Sequence, residues 1–302
     1  MSKIIPFPAL LPKSEVAHLI ACPPYDVINS EEARKLTAGN PYSLLHVTRA
    51  EVDLPPGVGE YDDRVYEAAR QNFINFVKNG WLTRVRESFF VYRLESGAHS
   101  QTGLVCGASV DEYDSGLIRQ HEKTRKDKED DRTRLAYTLK AHPEPVIIVY
   151  RTDREIKSLL ASQAAGEPLY DITDGNGVRH TLWQAKATDD IRDNFSDVSA
   201  LYIADGHHRS AAASRVGAMI KKESKNHSED ERYNFFPVVI FPDDEVRIYR
   251  YDWTGDPLKR PLADVTMADI MDLADRGGIM PPKSTWFAPK LASGLFVYPL
   301  II

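Results

Sequence analysis

Residues 200–215 read Ala-Leu-Tyr-Ile-Ala-Asp-Gly-His-His-Arg-Ser-Ala-Ala-Ala-Ser-Arg. The stretch changes its period in the middle. Ala200 to Ala204 is a short apolar run closed by a turn signal, which predicts a strand. From His207 to about Lys222 the alanines and apolar residues continue at helical spacing, and Asp205-Gly206 supplies the turn between the two. A helix that starts so abruptly presents free N–H groups and a partial positive charge, which together attract anions. His207, His208 and Arg209 stand at that terminus, and a guanidinium can grip phosphate oxygens as a fork. Asp205 reads as the helix cap or as a ligand for a divalent cation that accompanies a phosphate. The bland alternative is an ordinary Asp-Gly turn whose histidines cap or pack. Adjacent helical residues point about 100° apart, which counts against a zinc site built from His207 and His208 together.

Outward from this unit, strands are expected at Phe89–Leu94 and Gly103–Val110, joined by a turn at Ser96-Gly97. Further strands are expected at Pro145–Tyr150, Val178–Ala187, Phe235–Phe241 and Val246–Tyr251. Helices are expected at Asp62–Trp81, Glu155–Ala165 and near Met267–Ala274, with another ending near Ala141. There is no regular βαβ alternation. The fold class is therefore α+β: a mixed sheet with flanking helices. The segment through Glu51, rich in proline, reads as irregular backbone wrapped over the core.

The 302 residues, 42% hydrophobic and 27% charged, exclude a disordered chain, a coiled coil and a collagen-like repeat. A net charge of -6 argues against a dedicated DNA-binding domain, which must neutralise phosphates. Cys22 and Cys106 stand far apart and form no CxxC pair, so neither a zinc ribbon nor a redox motif is expected. No apolar run approaches the roughly 18 residues of a membrane span. The start carries no secretion signal, and a cytoplasmic protein without a membrane partner is expected.

Three other blocks carry candidate chemistry. Arg119-Gln-His-Glu-Lys-Thr-Arg-Lys-Asp-Lys-Glu-Asp-Asp-Arg132 reads either as a solvated helix of i,i+4 charge pairs or as a polyphosphate-binding face with His121, Arg125, Lys128 and Arg132. Glu122 within it reads as a general base or a metal ligand. In Cys22-Pro-Pro-Tyr-Asp-Val27 the two prolines pre-set Tyr25 and Asp26. Asn40-Pro-Tyr42 through His46, Arg49 and Glu51 repeats that theme. Pro282-Lys-Ser-Thr-Trp-Phe287 offers Lys283 and Ser284 to a phosphate, without the glycines of a P-loop.

Taken in order, PPYDVI, NPYSLLHVTRAE, RQHEKTRKDKEDDR, ADGHHRSAAA and MPPKSTWFAPK resemble the family filed as domain of unknown function ten-fifteen. The chain resembles a shortened member, because Tyr251 reaches Met280 through a short linker where the family usually carries a further α/β segment. This divides it into a main body, 1–251, and a closing segment, 252–302. The turn at Gly206 to Arg209 also resembles the phosphate-binding turn of the ParB/sulfiredoxin superfamily, which includes free-serine kinases.

The resemblance implies a small-molecule kinase acting on a hydroxyl, that of free L-serine first. The donor would be pyrophosphate, ADP or ATP, and Mg²⁺ would accompany it. Gly206, His207, His208 and Arg209 would hold phosphate with help from Arg125, Lys128 and Lys283. Tyr25, Thr124 and Ser284 would contact substrate, Asp205 the metal. His121 would assist catalysis, and Glu122 or Asp26 would accept the proton. The rivals are a ParB-like module for nucleotides or nucleic acid and a phosphohydrolase using the same anion site.

Overall fold

The computed structural model describes residues 2–175, 177–247 and 266–278, together with the backbone of four short strands at 249–251, 257–261, 286–287 and 298–299. The principal sheet contains Ile4–Ile5 (β1), Phe90–Ser96 (β2), His99–Ser109 (β3), Ile118–Arg119 (β4), Val146–Tyr150 (β5), Tyr170–Thr173 (β6), Arg179–Gln184 (β7), Leu201–Asp205 (β8) and Phe235–Pro242 (β9). Its order is β4-β8-β5-β9-β3-β2-β7-β6, with β1 beside β3. Pairing is parallel at β4–β8 and β5–β9 and antiparallel elsewhere, so the sheet is mixed.

The helices of eight residues or more are Ser30–Thr37 (α1), Asp63–Lys78 (α2), Lys126–Leu139 (α3), Arg154–Gln163 (α4), Thr188–Ser196 (α5), His207–Glu223 (α6) and Met267–Asp275 (α7). Strands β5 and β9 are buried throughout, as continuous apolar runs in the middle of a covered sheet should be. Alternate residues of β2 and β3 sort to opposite faces. Tyr92, Leu94 and Val105 join one core, while Val91, Leu104 and Cys106 join the other. A third core gathers the N-terminal segment around Tyr66, Ala69 and Phe76 of α2 and meets α3 at Leu135 and Leu139.

Most elements fall where the sequence places them, with differences of local cause. The segment through Glu51 is not wholly irregular, because Asn29 and Glu32 form a reciprocal capping box that starts α1. The charged block is not one solvated helix. Helix α3 begins at Lys126, which leaves His121 to Arg125 in a loop, and Asp131, Arg132 and Thr133 are buried. Residues 246–251 are not one strand: a turn of 3-10 helix, Asp243–Glu245, comes first and extended pairing starts at Tyr249. Helix α7 buries Met267, Ile270 and Met271 against a face of the main sheet, and Asp275 at its end meets Arg119, Arg151 and Tyr202. Lys283 and Ser284 lie outside the described residues.

Candidate functional site

Strand β8 ends at Asp205, and Gly206 turns the chain at φ 98°, a left-handed conformation that suits glycine. The first bond of α6 closes at once, from Ser210 N–H to the Gly206 carbonyl at 2.9 Å. No side chain caps this helix. The expectation that Asp205 caps it is corrected: its carboxylate instead accepts from Arg209 at 2.6 Å, one helical turn ahead. The other terminal nitrogen of Arg209 donates to the Pro145 carbonyl. This guanidinium, its side chain 10% exposed, packs beneath the turn, so close that a Cβ on Gly206 would lie 3.1 Å from it. Arg209 is thus spoken for at both terminal nitrogens. It buttresses the turn, and its Nε alone lacks a hydrogen-bond partner.

The loop before α3 reaches the same place. The His121 and His207 rings meet edge to face with centroids 4.6 Å apart. Glu122 Oε2 lies 3.9 Å from His207 Nδ1. One ligand atom from each of His121, Glu122 and His207 falls within 4.8 Å of the others. The Arg125 backbone N–H donates to His208 Nε2 at 3.0 Å, which puts the His208 proton on Nδ1 in the neutral ring.

Burial sets the electrostatics. It pushes the His121 imidazole down to about 4, against a hydrogen bond to the Ile203 carbonyl. It pushes His207 well below the ordinary histidine value, helped by the positive charge of neighbouring His121, His208 and Arg209. His208 is lowered by burial as well. Glu122 moves the other way, raised first by burial and then by the negative charges of Asp205 and Asp26. The contact between His207 and Glu122 is therefore no ion pair, since a neutral imidazole faces a carboxyl reluctant to ionise.

The third contributor is the Pro23-Pro24 segment. Asp26 is exposed and near enough to act electrostatically on Glu122, His208 and Arg209. Tyr25 is buried beneath the Arg132 guanidinium, 3.8 Å from its ring centroid, and its backbone N–H donates to Glu144 at 3.1 Å. Its ring supports Arg132 and is not an open surface for a substrate. Arg132 is held by Asp131 at 2.6 Å and Glu144 at 3.7 Å. Behind the site lies a small cavity lined by Arg132, His142, Glu144 and Arg209.

Three further candidates are engaged elsewhere. Lys128 sits 3.7 Å from Glu60 and 5.3 Å from the Tyr61 ring. Thr124 donates to Glu129, and the exposed Arg125 side chain pairs with Asp127 at 2.6 Å. One contributor escapes a sequence reading. Glu144 positions Tyr25 and Arg132; its signal is a charged residue locked between Pro143 and Pro145 just before a buried apolar run.

A family model described as "Protein of unknown function (DUF1015)" matches residues 4–252. No curated protein and no solved structure matches the chain. Among the described residues, no helix is long and apolar enough to cross a membrane.

Proposed function

We propose that this chain, which belongs to the DUF1015 family, is a small-molecule kinase that moves a phosphoryl group to a hydroxyl, free L-serine being the first acceptor. One observation carries the reading: the uncapped N-terminus of α6 opens where Asp26, Glu122 and Asp205 gather from three distant segments. Phosphoryl transfer asks the protein for charge neutralisation, alignment and a proton acceptor. The free N–H groups at the start of α6 offer the first to donor phosphates. The exposed Arg125, tied only to Asp127, is free to turn toward them, because exposed ion pairs hold weakly.

Asp205 and Asp26 offer oxygen donors of the kind Mg²⁺ accepts, so the site fits that ion. When bound, Mg²⁺ supplies charge neutralisation at the donor phosphates. Glu122, desolvated and beside two other carboxylates, is the group to accept the hydroxyl proton. The likeness of the Gly206 turn to ParB/sulfiredoxin proteins belongs to this proposal, as do pyrophosphate, ADP or ATP as donors.

The test is incubation with each donor, Mg²⁺ and a panel of amino acids headed by L-serine. A phosphoamino acid product is the expected result. Release of free phosphate alone would convert the reading to a phosphohydrolase. No turnover with any donor, combined with binding of nucleotide or nucleic acid, would replace it with a binding module.

A further inference from the structure

We propose that His121, Glu122 and His207 form a binding site for one divalent transition-metal ion of zinc-like chemistry. The site is separate in kind from the oxygen-ligand site for Mg²⁺. Hard cations take oxygen ligands, whereas a pair of imidazoles with one carboxylate suits zinc and its neighbours.

Three observations support it. First, the ligand atoms already lie within 4.8 Å of one another, and Glu122 Oε2 and His207 Nδ1 are 3.9 Å apart. Ligands of a tetrahedral zinc with bonds of about 2.0–2.1 Å sit roughly 3.3 Å apart, so a modest contraction closes the site. The two rings are fixed by burial, at 7% and 4% exposure, and the Glu122 side chain at 29% is the arm able to move. Second, His207 is buried with Nε2 lacking any hydrogen-bond partner, while its Nδ1 faces the carboxylate beyond hydrogen-bond range. Nδ1, not held by a hydrogen bond to Glu122, keeps its lone pair available to a bound ion. Third, the His121 ring is held edge to face against the His207 ring with centroids 4.6 Å apart, so the two imidazoles are already brought together.

The site draws two ligands from the loop before α3 and one from the first turn of α6, so metal binding would tie these elements together. The inference does not depend on the kinase reading. If both hold, a coordinated Glu122 is no longer a base, and the loaded ion inhibits phosphoryl transfer.

The test uses the full chain, freed of metal by chelation, with Co²⁺ and Zn²⁺ as probes and no phosphoryl donor. The expected result is one Co²⁺ per chain with visible d–d absorption, displaced by Zn²⁺, and a melting temperature raised by Zn²⁺ but not by Mg²⁺. Glu122→Gln, on the partly exposed arm, should weaken binding at least ~10–100-fold, the range that loss of even outer-shell partners produces. His207→Ala should abolish it. His18→Ala, at an exposed histidine outside the cluster, should bind as wild type does. Because His207→Ala removes a buried ring, circular dichroism decides whether it is folded, and Glu122→Gln carries the test if it is not. Equal binding by wild type and Glu122→Gln overturns the proposal, and so does absence of the cobalt spectrum or a preference for Mg²⁺.

Discussion

Glu122 and Asp26 show how one carboxylate is distinguished from another by surroundings. Glu122 is half-buried and its pKa is raised, first by desolvation and then by Asp205 and Asp26. Asp26 is exposed on a proline-stiffened loop. Glu122→Gln keeps the shape and removes the basicity, and general-base assistance contributes about 10²–10⁴ in rate. The expected outcome is a loss of turnover of that order with donor affinity nearly unchanged, read from kcat and donor KM with serine as acceptor. Asp26→Asn should leave kcat within about tenfold, since a peripheral charge contributes less than the base itself. A full loss in Asp26→Asn with near-normal Glu122→Gln would transfer the role to Asp26. At this scale the Gly206 turn was legible, since Asp-Gly between an apolar run and an alanine-rich helix has one economical reading. The partner of Asp205 was not. Capping and pairing with Arg209 use the same carboxylate, and the choice depends on Pro145 arriving from another strand to take the second guanidinium nitrogen.

Helix α6 shows what periodicity conveys and what it withholds. Its extent, His207–Glu223, follows from an alanine-rich run with no internal proline. Its packing does not, because Gly217 reads in sequence as a weak point in a helix. In the fold, a Cβ at Gly217 would lie 2.7 Å from the Tyr233 carbonyl, so the missing side chain is what lets the turn before β9 approach. Gly217→Ala therefore sets a propensity gain of up to ~1 kcal/mol against an overpacking cost of typically ~1–3 kcal/mol. Net destabilisation is expected, seen as a lower urea midpoint at unchanged slope. A raised midpoint would show that the Tyr233 turn yields freely. Helices α1 and α5 escaped the sequence reading for a different reason. Each is short and carries four charged residues, and α5 buries just Ile191 and Phe195, a single i,i+4 pair that makes too brief a stripe to stand out from a loop.

Across the whole molecule, the mixed sheet was legible as a set of strands but not as an order. The parallel neighbours β5 and β9 are separated by the 84 residues 151–234, and nothing local specifies which apolar run meets which. The same long-range closure buries histidines, and these make stability depend on pH. His142 is buried beside Glu144 and Arg209 at the small cavity, and desolvation takes its pKa from the ordinary 6.5 to about 4. Between those values the unfolded chain binds a proton there and the folded chain does not. Stability is therefore fully present above pH ~6.5 and is lost as pH falls toward ~4, below which this group adds no further slope. The two and a half or so units correspond to about 3 kcal/mol at ~1.4 kcal/mol per unit. His142→Leu replaces the ring with an apolar side chain that takes up no proton. Urea midpoints from pH 7 to 4.5 should fall for both proteins, since His121 is lowered by burial too. The variant's fall should be shallower by close to one proton, ~1.4 kcal/mol per unit near pH 5. Parallel curves would mean that His142 is protonated in the fold as readily as in the unfolded chain, and its burial would then have to be relieved by water entering the cavity.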